Sequence, residues 1–430
     1  MVILGINGEK RQHNSAASVL IDGKLIASVE EERISRVKGD SAYPHRSIAE
    51  VLSIAGITDR DVDMIALSNL SRWDQKPCMD RFFRQVARLG KTEPLIKNFY
   101  WKHQFERYAR ILRPRKKPAG ILAQKPTQTV EHHQAHAASA YYASPYGNER
   151  IAVITLDGAG DLSWGSVWIG ENGKMREILH LPYLNSIGLL YSSITNYLGF
   201  IAGRHEGKVL GLAAFGKPEP LLSRLLAHTN QDDWNNLFDA RLARVPLRPV
   251  SEMGMSVIKE LCGDLSREDI AAGLQAYTEK VICDWVQKQA RELKVTKLAV
   301  AGGVFSNVKL NQRILALPEI EDIYVHPNMG DGGLSTGAAF EVYARLQGGM
   351  RPELGQVYWA RRSIARMRCR PCKNWGSAMK SRTILRRPQR VCWRTARSSR
   401  GPTGKWNTGR ALWATARLWL PATTPASTNG

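Results

Sequence analysis

The sequence lacks the long apolar runs and the leader segment that mark membrane and secreted proteins. No uninterrupted apolar stretch reaches the roughly 18 residues that a membrane-spanning helix needs. The first ten residues, MVILGINGEK, contain no basic segment followed by a long apolar segment, so we expect no signal peptide. Cysteine is scarce, with six in 430 residues and no framework spacing. These absences favour a reduced, cytoplasmic protein without a membrane partner.

Acidic residues are missing from one segment of the chain. Residues 359–430 contain 17 of the 61 Lys and Arg residues and none of the 39 Asp and Glu residues. Residues 1–358 therefore carry 44 basic and 39 acidic side chains, so the net charge of +22 falls to +5 there. A basic excess usually points to nucleic acid or a membrane surface. Here it belongs to a segment that also holds six of the 12 Trp and three of the six Cys.

The composition of this segment is typical of a reading frame shifted by one base. Read from the third base of each codon, Lys405–Arg417 permits MEYGPRALGNRS and Cys372–Lys380 permits LQKLGLRYE. The codons that follow Tyr358 permit LGPE in the same way. One lost base near Tyr358 would produce all three peptides. We therefore expect residues 356–430 to be an out-of-frame remnant, and the alternative is a genuine basic arm that binds polyanions.

The remainder of the chain has the pattern of an α/β protein. Asp22-Gly23 and Asn172-Gly173 each lie between two apolar segments, which predicts two hairpins. Each hairpin follows an apolar strand, near residues 2 and 151, so a strand-loop-hairpin opening occurs twice. Strands and helices then alternate with glycine-rich turns. Ser47 is predicted to cap a helix that ends at Gly56.

These patterns predict the domain organisation. We expect one domain over residues 1–355, made of two lobes at roughly 1–130 and 131–355. Residues 71–125 are basic and aromatic with helical spacing, and they are predicted to form a helical insertion.

Three histidines within five residues form the most specific local feature. His132 and His136 are four residues apart and would share one face of a helix, a spacing that suits two ligands of one metal. Asp331, in the loop NMGDGG, is a candidate third ligand. The alternatives are core or capping histidines and an ordinary turn with a capping aspartate.

Further polar residues could bind a nucleotide. Gly302-Gly303 follows a predicted strand and opens a helix, which offers backbone N–H groups to a phosphate. Glu206 and Lys208 fit contacts with ribose and phosphate, or a salt-bridged turn. His13 could place an imidazole in a cleft, although a lone histidine is more often structural. The run Glu30–Arg33 is predicted to be solvated.

Taken together, these segments resemble the O-carbamoyltransferases of the nodulation-protein-U and cephalosporin type. The resemblance covers residues 1–358 in order and includes HNSAA, VEEERISRVK, EHHQAHAASAYY, TLDGAGD, HEGKVLGLAAFGKP, AGGVFSNVKLN and NMGDGGLSTGAA. The family typically also carries GPRALGxRSI, which the shifted frame recovers.

The resemblance implies two RNase-H-like lobes of the actin and sugar-kinase-like ATPase superfamily. It also implies a C-terminal YrdC-like domain, missing here, that makes carbamoyl-adenylate from carbamoyl phosphate and ATP. The carbamoyl group then passes to a hydroxyl of a sugar, an oligosaccharide or an antibiotic-like acceptor.

Site residues follow from the matching motif positions. The resemblance implies that His132, His136 and Asp331 hold Fe(II) or a similar divalent metal. Asp157 would lie beside the metal and the nucleotide phosphates, and His13 near the acceptor. The family usually has Asp where this chain has Asn14. Five residues would line the nucleotide site: Glu206, Lys208, Gly302, Gly303 and Asn307.

Two other functions stay open from the sequence. An actin-like ATPase or sugar kinase fits the fold but gives the histidine pair no role. A nucleic-acid-binding protein depends on the basic segment alone, so we do not expect nucleic acid as a partner.

Overall fold

A computed structural model describes residues 1–8, 14–68, 120–247 and 252–355, together with Asp80, Arg84 and Ala87. Residues Met1–Ser363 form one compact unit. The predicted insertion over 71–125 falls largely outside the described residues, and His13 and the predicted remnant over 356–430 lie wholly outside them.

The first sheet is built by the N-terminal part of the chain. Its strands are β1 (Val2–Asn7), β2 (Ala16–Ile21), β3 (Lys24–Glu30), β4 (Met64–Ser68) and β5 (Thr127–Val130), in the order β3-β2-β1-β4-β5. The first three strands form an antiparallel meander, whereas β4 lies parallel to β1 and β5 parallel to β4. The turn Asp22-Gly23 joins β2 to β3 with positive φ at both residues, as predicted from its sequence.

The second sheet repeats this path. Its strands are β6 (Ile151–Gly160), β7 (Ser163–Glu171), β8 (Lys174–Pro182), β9 (Lys297–Ala301) and β10 (Asp322–Val325), in the order β8-β7-β6-β9-β10. Again a meander is followed by two parallel strands. The predicted two RNase-H-like lobes are therefore confirmed.

Helices cover the sheets. Those of the described residues are α1 (Glu31–Ser35), α2 (His45–Ala55), α3 (His132–Ala143), α4 (Ile187–Tyr197), α5 (Glu206–Leu212), α6 (Leu221–Leu226), α7 (Arg244–Leu247), α8 (Glu252–Cys262), α9 (Arg267–Leu293), α10 (Val308–Leu315) and α11 (Leu334–Leu346). Short 3-10 helices lie at Asp59–Asp61, Gly120–Gln124, Tyr183–Asn185, Ala213–Phe215, Trp234–Asn236, Gly303–Ser306 and Asp331–Gly333. None of the described helices is long and apolar enough to cross a bilayer.

Two helices join the lobes. Helix α3 packs on the second sheet, α11 packs on the first, and the two helices pack on each other. Their approach is close: a Cβ on Gly337 would lie 1.8 Å from the carbonyl oxygen of Ala135. Although α11 belongs to the second half of the chain, it covers the first sheet. One apolar cluster contains residues of both helices and both sheets, so the lobes share part of their core.

The start of α2 differs from the prediction. The helix begins at His45 after Pro44, and Ser47 lies inside its first turn. Ser47 is buried and donates through its backbone N–H and its hydroxyl to the Glu31 carboxylate, both at 2.8 Å. The Glu31 carboxylate, from an earlier segment, accepts backbone N–H groups at the start of the helix. The prediction that Ser47 caps this helix is therefore wrong. The predicted stop at Gly56 is confirmed by its left-handed backbone, with φ of 69°.

Candidate metal centre

The histidine pair lies in the first two turns of α3, directly after β5. His132 and His136 are one helical turn apart and buried, and their ring centroids are 4.8 Å apart. Glu131 caps the helix by accepting the backbone N–H of Gln134 at 2.7 Å. Asp161 accepts the backbone N–H of His132 at 2.9 Å. Two carboxylates therefore hold the backbone at the start of the helix that carries both histidines.

Two carboxylates face these rings from other elements. Asp157 lies on β6, and its Oδ2 is 3.4 Å from Nε2 of His132. Asp331 follows β10, and its Oδ1 is 3.6 Å from Nε2 of His136 and 3.8 Å from Nε2 of His132. One ligand atom from each of the four residues lies within 4.8 Å of the others. The structure thus brings Asp157 into the group that the sequence predicted from three members.

This donor set fits a divalent cation. Neither ring nitrogen of His136 has a hydrogen-bond partner among the described residues, although the ring is fully buried. A buried polar atom without a partner is costly, and a metal would satisfy it. Two imidazoles with carboxylate oxygens suit transition metals such as iron.

The imidazoles and carboxylates of this group shift each other's pKa values. Burial alone would lower the pKa of His132, but Asp157, Asp331 and Asp161 raise it to about 9. Burial opposes ionisation of Asp157, yet the hydrogen bond from His132 and the neighbouring imidazoles lower the pKa of this carboxyl. Asp157 is therefore held as an anion that attracts positive charge.

Glycines allow the close approach of these side chains. A Cβ on Gly160 would lie 2.1 Å from the His132 ring, so any side chain there would displace the imidazole. Gly303 donates its backbone N–H to Oδ1 of Asp157 at 2.8 Å, and a Cβ on it would meet the same oxygen at 2.7 Å. Gly302 has a φ of 103°, which favours glycine. Of the predicted glycine pair, Gly303 thus contacts the centre through Asp157.

The loop that carries Asp331 is fixed from the first lobe. Asn7, at the end of β1, is fully buried and donates its side-chain amide to the carbonyl oxygen of Asp331 at 2.7 Å. The same amide donates to the carbonyl oxygen of Asn14 at 3.2 Å, and Ser68 donates to its oxygen at 2.8 Å. Asn7 therefore anchors a ligand-bearing loop that comes from the other end of the chain.

One of the other predicted nucleotide residues belongs to a second polar group. Asn307 caps α10 and exchanges two hydrogen bonds with Gln275, at 3.0 and 3.2 Å. Gln275 also accepts from the hydroxyl of Tyr191 at 3.2 Å. Burial, together with the charge of Glu206, raises the pKa of Tyr191. Of the other predicted nucleotide residues, Asn307 therefore belongs to this polar group, whereas Glu206 and Lys208 lie on α5, where Lys208 is exposed.

The acidic run of the first lobe is not solvated as predicted. Glu31 is 4% exposed and accepts from the first turn of α2, and Glu30 is half-buried beside the Asp331 loop. No local pattern distinguishes these residues from a surface run. Their partners lie 15 or more residues away, so only the tertiary fold identifies them.

Comparison with known proteins finds relatives along most of this chain. The chain is 30% identical over 354 residues to the uncharacterized protein sll1178 of Synechocystis, with 79% of this chain and 57% of the relative covered. It is also 30% identical over 361 residues to the nodulation protein NolNO of Sinorhizobium fredii, with 81% and 49% covered. The chain thus spans about half the length of these curated relatives.

A solved structure and a family match complete the comparison. Component A of (R)-2-hydroxyglutaryl-CoA dehydratase from Acidaminococcus fermentans is 17% identical with a TM-score of 0.43, over 81% of this chain and 100% of that one. The family described as the carbamoyltransferase N-terminus matches residues 2–340, which include all four members of the candidate metal centre. The chain therefore belongs to the carbamoyltransferase family.

Proposed function

We propose that this chain carries the transfer half of an O-carbamoyltransferase. It passes a carbamoyl group, derived from carbamoyl phosphate through carbamoyl-adenylate, to a hydroxyl of a sugar, an oligosaccharide or an antibiotic-like acceptor. The observation that carries this proposal is the convergence of His132, His136, Asp157 and Asp331 in a chain of the carbamoyltransferase family.

In this proposal His132, His136 and Asp331 hold Fe(II) or a similar divalent metal. A bound cation would supply positive charge that polarises a carbonyl and stabilises negative charge on oxygen. The chain's own residues fix the arrangement. Asp157 keeps its negative charge next to His132, and the N–H of Gly303 orients its second oxygen. Since Gly303 opens a 3-10 helix, phosphate oxygens could reach further backbone N–H groups there.

We assign the nucleotide to the second lobe, between Asp157 and the polar group around Asn307. Glu206, Lys208, Gly302 and Gly303 line this region in the proposal. Asn307 already caps α10 and pairs with Gln275, so its contribution is to hold this wall in place. His13 remains a predicted contact of the acceptor.

The alternatives explain fewer observations. A sugar kinase or actin-like ATPase has no use for two buried imidazoles that face two carboxylates. A nucleic-acid-binding function depends on residues 359–430, which lie outside the family match. Family membership and the donor set both favour the transferase.

The test uses the full chain and supplies the adenylate ready-made. Metal binding is measured under anaerobic conditions by titration with Fe(II) and Mn(II) and by elemental analysis. Transfer is measured as AMP release from carbamoyl-adenylate in the presence of glycerol, methyl α-glucoside or chitotetraose, with the carbamoylated product detected by mass spectrometry. We expect metal binding at one site per chain and metal-dependent product formation.

The control is His228→Ala, which removes a partly exposed histidine that pairs with Asp239 and is not a member of the centre. It should behave as the unmodified chain. Phosphorylation of any sugar probe by ATP would support the kinase instead. Metal binding without transfer to any probe would contradict the proposed function and leave a metal site of another purpose.

A further inference from the structure

Glu30 places a carboxylate beside the loop that carries Asp331. It ends β3 and is half-buried. Its Oε1 accepts the side-chain amide of Asn328 at 2.9 Å, and its Oε2 accepts that of Asn14 at 3.4 Å. We call Glu30, Asn14 and Asn328 the Glu30 cluster.

The Glu30 cluster is tied to the loop that carries Asp331. Asn328 lies three residues before Asp331, and a Cβ on Gly332 would lie 2.7 Å from the carboxyl carbon and Oε1 of Glu30. On the other side, one amide of Asn7 donates to the carbonyl oxygens of both Asn14 and Asp331. Hydrogen bonds therefore link Glu30 to the Asp331 loop by two routes, directly through Asn328 and indirectly through Asn14 and Asn7. Glu30, at the end of a strand of the first sheet, therefore contacts the loop that carries Asp331.

The neighbouring glutamates have different tasks. Glu31 accepts three donors from the first turn of α2, which satisfies a helix terminus. Glu32 accepts the backbone N–H of Gly39 at 2.7 Å. Each carboxylate oxygen of Glu30 accepts a hydrogen bond from one asparagine amide, and a carboxylate oxygen can accept two hydrogen bonds. The two amides thus orient Glu30 and leave capacity for a ligand hydroxyl.

We propose that Glu30 binds the acceptor hydroxyl and takes up its proton during carbamoyl transfer. This assignment rests on the proposed function. The hydroxyl oxygen forms a bond to the carbamoyl carbon, and the bond from that carbon to the phosphate oxygen breaks. AMP leaves with the electron pair of the broken bond. The hydroxyl proton moves to a carboxylate oxygen of Glu30 and then to solvent.

The electrostatic surroundings agree with this role. Burial and the negative charges of Glu32 and Asp331 raise the pKa of Glu30, although Arg33 and the Asn328 amide oppose the change. A carboxylate with a raised pKa is a stronger base near neutral pH.

The experiment compares three variants of the full chain. Glu30→Gln removes the charge and keeps the size, Glu30→Asp keeps the charge and withdraws it by one methylene, and Glu32→Gln changes the same charge two residues away. AMP release from carbamoyl-adenylate is followed with methyl α-glucoside and with glycerol as hydroxyl probes. Mn(II) affinity is measured in parallel, because it reports an intact centre independently of turnover.

We expect Glu30→Gln to lower probe-dependent AMP release by about 100-fold with unchanged Mn(II) affinity. Glu30→Asp should recover part of the rate. Glu32→Gln should keep most of the rate and move the acidic limb of the pH–rate profile to lower pH, because the Glu32 charge helps to raise the pKa of Glu30. The acidic limb of the pH–rate profile should disappear in Glu30→Gln, which a structural role would not cause.

Two outcomes overturn the assignment in distinguishable ways. Turnover by Glu30→Gln within twofold of the unmodified chain, or loss of its Mn(II) binding, assigns Glu30 no part in proton uptake. Absence of turnover by the unmodified chain with either probe contradicts the proposed function itself, and the assignment fails with it.

Discussion

The two lobes share one topology but not one chemistry. The first strand of each sheet carries a polar residue that is followed by glycine. Asn7 is the last residue of β1 and precedes Gly8, and Asp157 and Gly158 lie within β6. Asn7 is fully buried and satisfied by Ser68 and by two carbonyl oxygens. Asp157 is partly exposed and lies 3.4 Å from a histidine nitrogen.

Asn7 positions a loop, whereas Asp157 contributes a negative charge to the centre. An amide can donate and accept, so Asn7 can join a loop from each end of the chain without adding charge. A carboxylate only accepts, and it is stabilised where positive charge collects. At these two equivalent positions, the second lobe therefore supplies a charged side chain and the first lobe supplies a neutral one that holds the Asp331 loop. Exchanging the two residue types tests whether the two roles are distinct.

The largest effect is expected from His136→Ala. It removes a ligand whose two buried ring nitrogens have no hydrogen-bond partner among the described residues. Loss of a residue that merely supports a ligand costs about 10–100-fold in metal affinity, so loss of the ligand itself should exceed that range. Anaerobic Fe(II) titration measures it, with His228→Ala as the matched control. Unchanged metal content in His136→Ala would make this histidine structural.

A smaller loss is expected from Asp157→Asn, which gives the second lobe the residue type of the first. Asparagine can still accept the N–H of Gly303 through its oxygen, so the fold should persist. The charge next to His132 is lost, and metal affinity should fall by about 10–100-fold. Binding within twofold of the unmodified chain would show that the aspartate is not part of the centre.

How far the sequence predicts this arrangement depends on the range of the contacts. Helices α9 and α11 depend on local signals, because each follows a continuous helical pattern in its own sequence and Ser266 caps α9. Both hairpins follow from two-residue turn signals, and the histidine pair from its spacing on one helix. The role of Glu31 could not be predicted, because its donors belong to a helix that begins 14 residues later. The role of Asn7 could not be predicted for the same reason, because its partner Asp331 is 324 residues away.

The reciprocal exchange, Asn7→Asp, should affect stability more than metal affinity. The new carboxylate would face the carbonyl oxygens of Asn14 and Asp331 without a proton to donate. An unsatisfied buried polar group costs about 1–3 kcal/mol, and a charged one more. Thermal unfolding should show a lower midpoint, which Asn7→Ser, uncharged and smaller, should reproduce only in part. An unchanged midpoint would mean that these two hydrogen bonds do not hold the loop.

The smallest effect is expected from deleting residues 359–430, the acid-free segment that neither lobe includes. All four members of the centre lie between residues 132 and 331, so metal affinity should stay within twofold.

The cut must spare residues 350–355. Arg351 donates to three carbonyl oxygens at the end of α3, and Glu353 pairs with the edge strand β3 through Lys24 and Leu25. A chain that lacks residues 350–430 should therefore unfold at a lower temperature than the full chain. A chain that lacks only residues 359–430 should not. If removal of 359–430 alone abolished metal binding or folding, the segment would be a working part of the protein. The reading of residues 356–430 as an out-of-frame remnant would then fail, and the gene sequence across codons 355–362 would show no missing base.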